Sequence, residues 1–462
     1  MHSLSIFGTS SDAGKSTLSF ALTYLLHQRG INAVPFKAQN VSNNSQVTDD
    51  GGEIAIPQFF AAEAIGIPTS VLMNPILLKS AGESKAHMIL NGKSVAQKDV
   101  WEYYRDIDTL KPIVKAAFNT LKEEYECIVA EGAGSPVELN LMDKDLSNIY
   151  VAKEFHTKII IVADIERGGV FASIYGVYNL LPKKLQKNVI GVIINKFCGD
   201  MRLFDEGVSI IEKDFGIKVL GVVPYKPLNL GFEDAQSLIN YKQDTKASII
   251  TVGVIQLPHL SNFTDFEPLI ADKEIALRFI SNAVEAYSCD LIILPGSKRV
   301  IDDLAWLRAN GFEKILTSKK TNIIAICGGY EMMFEHLIDK DSVESEKTIT
   351  AGFGRFKGNV IFQKEKTVKK GYYNHRGIIT PGYEIHNGIT KKNAKKKKNL
   401  YGTFVHGIFE NDALRLKIFN KINPSYKGYN FQDFKTKTIE DFTNHIDKHI
   451  DMNYIIKELQ RN

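Results

Sequence analysis

The chain has 462 residues, with 57 Lys and Arg against 53 Asp and Glu (57 − 53 = +4), and 44% of it is hydrophobic. That composition supports buried cores and excludes disorder as the main state, while both charge signs are interspersed and leave no basic face of the kind a nucleic-acid binder needs. No run approaches about 18 apolar residues and the N-terminus has no signal-peptide pattern, so no membrane and no nucleic acid is expected as a partner and the expected location is cytoplasmic.

At roughly 150 residues per domain the length allows two or three domains. Up to about residue 225, short β-rich runs end in Gly, Asp or Asn and lead into helical patterns: Ser3–Phe7, Ala33–Phe36, Cys127–Ala130, Lys158–Ala163, Val189–Ile194 and Val219–Val223. Alternation of this kind predicts βαβ units and a parallel sheet. Between the first two runs, Leu18, Ala21, Leu22, Leu25 and Leu26 recur at helical spacing and Gly30 follows as a C-cap. From Pro227 the pattern turns polar, and a new apolar strand begins at Ile249. The rhythm then repeats, with Leu291–Leu294 before Pro295-Gly296-Ser297, Ile323–Ile326 before Cys327-Gly328-Gly329, and Tyr401–Val405 before His406. The expected organisation is α/β throughout: a phosphate-loop, parallel-sheet ATP-binding domain over 1–230, a linker over 231–247, a second open α/β domain over 248–425, and a helical tail over 426–462. The lysine run from Lys391 to Lys398 reads as a solvated loop.

The segment Gly8-Thr9-Ser10-Ser11-Asp12-Ala13-Gly14-Lys15-Ser16-Thr17 lies between the first strand and the first helix, where a phosphate loop belongs. Its glycines let backbone N–H groups turn onto phosphate oxygens, Lys15 adds a point charge, and the Ser16 hydroxyl suits Mg²⁺. Five residues rather than the usual four separate Gly8 from Gly14. The ATP-binding set is therefore Gly8, Thr9, Asp12, Gly14, Lys15, Ser16 and Thr17, with Asn195 offering an amide to an adenine edge. Glu131 ends a strand before Gly132-Ala133-Gly134 and supplies the carboxylate that a metal-bound triphosphate needs; Asp143, Asp145 and Asp164 are further acids at or near strand ends, with capping or surface charge as the alternative for each.

Of the four cysteines, Cys127, Cys198, Cys289 and Cys327, none forms a CxxC pair. Cys327 ends a strand, is followed by two glycines and opens a helical segment, which is the arrangement of a nucleophile elbow. The tight turn exposes the thiol, Gly328 makes room for substrate and oxyanion N–H groups, and Gly296 could add a further oxyanion N–H. Among eleven histidines, His406 follows a strand and precedes Gly407, so it is the expected base; His375 and His386 read as decoys without a catalytic part.

An ATP site and a Cys/His site in one chain fit release of ammonia from an amide in one half and activation of an acid in the other. The N-terminal half resembles the dethiobiotin-synthetase-like amide ligases, and the whole chain resembles the cobyric acid synthase family of cobalamin biosynthesis. The resemblance rests on Pro35-Phe36-Lys37-Ala38-Gln39-Asn40, Met73 to Lys79, Glu131 to Pro136, Asp164 to Phe171, Gln256 to Phe266, Leu294 to Lys298, Cys327 to Tyr330, Gly382 to His386 and His406-Gly407, up to about residue 412. It implies ATP- and glutamine-dependent amidation of the b, d, e and g carboxylates of adenosylcobyrinic acid a,c-diamide, with Mg²⁺ as cofactor, Cys327 as glutaminase nucleophile and His406 as its base. Lys37, in the first motif, joins Asp143, Asp145 and Asp164 as expected substrate or phosphate contacts. Three positions depart from the family pattern: Ala325 stands for a Gly, Glu331 for a Gln, and Ala55-Ile56-Pro57 for Gly-Arg-Ala. Ile408 stands where other triad amidotransferases carry an acid, which implies a Cys–His dyad. Two alternatives are a cobyrinic acid a,c-diamide synthase and a phosphate-loop ATPase acting as a switch or binding module; the second lacks its usual lysine near the loop start, where Thr9, Ser10 and Ser11 stand.

Overall fold

The computed structural model describes every residue except 81–84, 229, 232–242, 244 and 462, so the expected linker falls largely outside the described residues. The chain divides into two units, one of Met1–Ser42, Thr48–Gly231 and Thr436–Asn462, the other of Asn43–Val47 and Phe232–Lys435.

The first unit is built on a six-stranded sheet of β1 (Leu4–Gly8), β2 (Ala33–Phe36), β3 (Cys127–Glu131), β4 (Lys158–Asp164), β5 (Val189–Phe197) and β6 (Val219–Pro224), in the spatial order β6-β5-β4-β1-β3-β2. All neighbours are parallel. Runs such as Ile159 to Ala163 are fully buried because helices cover both faces of a parallel sheet. Gly8, Glu131, Asp164 and Asn195 all fall at or near the carboxyl ends of strands, the edge where open α/β sheets bind ligands. Helix α1 (Lys15–Gln28) leaves that edge from the loop after β1. A smaller sheet of Gln39–Val41, Ile76–Ser80, Lys85–Leu90 and Lys93–Asp99 was not foreseen from the sequence.

In the second unit the sheet runs β8-β7-β9-β10-β14-β13, from β7 (Ile250–Ile255), β8 (Ile275–Ile280), β9 (Leu291–Leu294), β10 (Ile323–Ile326), β13 (Ala394–Lys397) and β14 (Leu400–Thr403). Between β10 and β13 the chain makes a long antiparallel hairpin of β11 (Phe356–His375) and β12 (Ile378–Ile389).

One expectation is corrected here. Within the lysine run, Ala394–Lys397 is an antiparallel edge strand, β13, rather than a loop; its charged side chains guard an edge that would otherwise invite further strand pairing. The tail is helical over Phe431–His449 and Met452–Gln460. From Thr436 it belongs to the first unit, where Ile450 bridges Gly221, the Asp451 N–H donates to Leu220 O at 2.8 Å, and Phe442 packs on Phe20 with ring centroids 6.5 Å apart. Conversely, Asn43–Val47 belongs to the second unit, with Val47 buried against Tyr383 and Ile385. Among the described residues no helix is long and apolar enough to cross a membrane.

Candidate functional site

In the first unit, the loop between β1 and α1 is anchored by the Thr9 N–H, which donates to Val162 O at 2.9 Å. Gly14 has φ +94° and lies so close to the Asn195 amide that a Cβ would overlap it; any other residue is strained in both backbone and contact. Lys15 is buried, and its Nζ donates to Ser10 O at 2.7 Å and Ser11 O at 3.0 Å, so the loop curls around a single ammonium. In a Gly-rich loop of this kind the backbone N–H groups form the nest for an anion and the lysine adds the cation. Thr17 Oγ1 donates to Gly14 O at 3.0 Å, and Asp12, at the exposed lip, pairs with Arg167 at 2.8 Å.

Beneath the loop, Ser16 Oγ donates to Glu131 Oε1 at 2.7 Å, Lys37 Nζ donates to the same oxygen at 2.6 Å, and Gln58 Nε2 donates to Oε2 at 3.1 Å. These side chains test well against Mg²⁺. Adjacent ligands of an octahedral ion with bonds of about 2.1 Å lie about 3 Å apart, close to the Ser16–Glu131 spacing, and Gln58 Oε1 beside them is a buried oxygen without a hydrogen-bond partner among the described residues. One carboxylate and one hydroxyl, completed by phosphate oxygens and water, is an ordinary donor set for this ion.

Other first-unit residues fall elsewhere. Asn195 Nδ2 donates to Ala13 O at 2.9 Å and so braces the loop from the carboxyl end of β5. Asp145 caps a helical turn, accepting from the Ser147 and Asn148 N–H groups at 2.9 and 2.7 Å; burial holds its pKa up at about 6 against those bonds. Asp164 accepts from the Glu166 N–H at 2.8 Å and pairs with Lys196 at 3.0 Å, and Asp143 is exposed on a surface turn. For these three acids the structure favours the capping or surface reading. Pro57 occupies the first turn of helix Ile56–Ala64, where a missing N–H costs nothing.

In the second unit, β10 runs into Cys327, whose φ of +52° and ψ of −114° are the strained backbone of a nucleophile elbow, and helix α2 (Gly328–Met332) follows at once. The glycines are required by close approach. A Cβ on Gly329 would overlap Leu294 O, and one on Gly328 would lie 2.9 Å from Ser297 N. Gly296 packs against His406, where a Cβ would lie 3.3 Å from Cε1.

His406 is wholly buried and lies within electrostatic reach of Cys327, whose thiol donates to Ile385 O at 3.4 Å. Its Nδ1 faces Asp265 Oδ2 at 2.7 Å, its Nε2 faces Asn262 Nδ2 at 3.2 Å, and its ring stacks on Tyr383. The other Asp265 oxygen accepts from the Gly407 N–H at 2.7 Å. Burial lowers the imidazole pKa, but the Asp265 carboxylate and Cys327, by charge and by hydrogen bonding, outweigh it and raise the pKa to about 10. With Nδ1–H held by Asp265, Nε2 is left as the acceptor, and the Asn262 amide donates to it, so a thiol proton would reach Nε2 beside that bond.

The implied dyad therefore has a third member in place, supplied from a turn more than a hundred residues upstream of the histidine rather than from Ile408. Sequence reasoning quoted the segment Gln256 to Phe266 without singling out Asp265 or Asn262; the signal present was that Asp265 is its sole acid. Both decoy histidines are structural. His375 bonds the Tyr401 hydroxyl, and burial drives its pKa down to about 4; His386 stacks on Phe404 at 3.8 Å and bonds Gly388 O at 2.7 Å.

Residues 4–230 match the family description "CobQ/CobB/MinD/ParA nucleotide binding domain", and residues 251–414 match "CobB/CobQ-like glutamine amidotransferase domain". The first description spans both switch ATPases and ligases, so full-length relatives decide between them. The cobyric acid synthase of Acinetobacter baylyi is 53% identical over 463 residues, covering 100% of both chains. This chain belongs to the cobyric acid synthase family. That of Listeria monocytogenes serovar 1/2a is 40% identical, covering 90% of this chain and 87% of its own, and that of Clostridium perfringens is 37% identical over 98% of each. As a cobyric acid synthase family member, the chain is a glutamine amidotransferase ligase with a nucleotide-binding domain, and the switch-ATPase reading is set aside.

Proposed function

We propose that the chain amidates the b, d, e and g side-chain carboxylates of adenosylcobyrinic acid a,c-diamide in the cytoplasm, using ATP, Mg²⁺ and ammonia released from glutamine or taken up free. The observation that carries the reading is the Cys327–His406–Asp265 arrangement in a chain that also carries the Lys15 nest and the Ser16–Glu131 pair. In the first unit, the loop N–H groups and Lys15 bind the phosphates of ATP, and a substrate carboxylate oxygen attacks the γ-phosphorus in line, releasing ADP and leaving an acyl phosphate. Lys37 is positioned to steady the transferring charge. Mg²⁺, held by Ser16 and Glu131, supplies charge neutralisation there. Ammonia then attacks the acyl carbon and phosphate leaves.

In the second unit, the Cys327 sulfur attacks the carboxamide carbon of glutamine, and backbone N–H groups near Gly296 and Gly328 face the oxyanion that forms. His406 gives its proton to the departing ammonia, and water, deprotonated by His406, hydrolyses the thioester to glutamate. Mass spectrometry of the a,c-diamide after incubation with protein, Mg-ATP and either glutamine or ammonia tests this directly. Four successive amidations are expected; no mass change with either donor overturns it. For the metal pair, Glu131→Gln is expected to raise the Mg²⁺ concentration for half-maximal activity about tenfold or more, since a charged ligand becomes a neutral one. An unchanged Mg²⁺ titration reassigns the ligand.

A further inference from the structure

In the resting protein each member of the reacting pair has another partner. The Cys327 thiol donates to Ile385 O at 3.4 Å, and Nε2 of His406 receives the Asn262 amide, Nδ2, at 3.2 Å. Which end of that amide faces the ring is set from behind. Asn262 Oδ1 accepts the Ser45 N–H at 3.4 Å, and a turned amide would bring its NH₂ against that N–H, donor to donor. Both residues are buried, and Asn262 stands at φ +51°, a backbone region that asparagine tolerates better than most residues.

Ser45 lies in the short segment Asn43–Val47, which supports the other resting contacts too. Lys298 Nζ donates to Asn43 Oδ1 at 2.6 Å and anchors its start. At its end Val47 packs on Tyr383 and Ile385, the first stacked on the His406 ring and the second accepting from the thiol.

Proton transfer reverses the sign of the Asn262 contact. While Nε2 carries a lone pair, the amide donates to it; once the thiol proton arrives there, Nε2–H and the amide NH₂ face each other as two donors. Asn262, held in this orientation, therefore favours the neutral thiol and imidazole over the thiolate and imidazolium. The remaining groups facing the ring are the Asp265 carboxylate at Nδ1, the Tyr383 ring and Cys327.

We propose that Asn262 is a latch on the general base: oriented by the Ser45 N–H, it keeps His406 Nε2 an acceptor, and the thiol proton crosses to Nε2 only as that bond gives way. This rests on the reading of Cys327 as the glutaminase nucleophile and His406 as its base. The step moves one proton from Sγ to Nε2 and needs no co-reactant. Asn262 acts through His406 and is a positioning residue.

The test compares wild type with Asn262→Gly, which removes the amide and suits the positive φ. Alkylation by iodoacetamide is followed at the Cys327 peptide by mass spectrometry across a pH series, because Cys198 is an exposed thiol as well. The midpoint of the rate profile is expected to fall by about one pH unit, which makes alkylation about tenfold faster below the wild-type midpoint, the size of one buried hydrogen bond. The acid limb of glutaminase kcat/KM should move with it. A rate raised equally at every pH, with the midpoint in place, reports only easier access to the thiol and overturns the proposal. An unchanged profile, or a midpoint moved to higher pH, also overturns it. Circular dichroism and thermal unfolding check the fold, and should the Gly variant not fold, Asn262→Ala also removes the amide and gives the same comparison. Glutaminase activity surviving in Cys327→Ser would instead remove the underlying reading of the nucleophile.

Discussion

Cys327→Ser is expected to lose glutamine-dependent amide formation by about a thousandfold or more while ammonia-dependent synthesis continues. Serine is nearly isosteric with cysteine, so the positive-φ elbow, the N–H bond to Thr403 O at 2.8 Å and the packing of Gly328 and Gly329 should all survive. What changes is the nucleophile. His406 with Asp265 behind it stabilises a thiolate by ion pairing, whereas a hydroxyl stays protonated at the same pH and attacks an amide poorly. The ATP-binding unit requires only a nitrogen nucleophile, and ammonia from solution bypasses the thiol. Measuring both activities at a pH that supplies free ammonia separates the outcomes. Equal loss of both makes Cys327 structural, and retention of both places glutamine hydrolysis elsewhere.

The phosphate loop was legible because its function is written in consecutive residues. The six strands of the first sheet were legible too, since a parallel strand buried on both faces is a continuous apolar run, as in Lys158–Asp164. Cys327 and His406 were found by the same logic, each standing where a strand ends. Asp265 was not, because its link to His406 is made by the fold: 141 positions separate the two, and no periodicity connects them. At Asn195 the fold adds a 2.9 Å bond from Nδ2 to Ala13 O that no sequence pattern announces. The β11–β12 hairpin escaped because its exposed positions, such as Tyr372 and Ile379, break the alternation that marks a half-buried strand. The lysine run misled for a related reason, since charge density reports exposure and an edge strand is as exposed as a loop.

Asp265→Asn is expected to reduce glutamine-dependent kcat by about a thousandfold or more, with ammonia-dependent synthesis retained. The size of the effect follows from hydrogen-bond direction. The Gly407 N–H donates to Asp265 Oδ1 at 2.7 Å, and in the variant the amide oxygen must stay there to receive it. That orientation turns the amide NH₂ toward His406 Nδ1, which then has to accept, so the ring proton moves to Nε2. A ring protonated at Nε2 has no lone pair for the thiol proton. The loss of the carboxylate also removes the leading influence that raises the His406 pKa to about 10, and burial then drives it down. The imidazolium that pairs with the thiolate disappears at lower pH, and the alkaline limb of glutaminase activity moves toward neutrality. A merely structural Asp265 would lower stability and leave the limb in place; activity within about threefold of wild type with an unmoved limb would reduce Asp265 to a cap for Gly407.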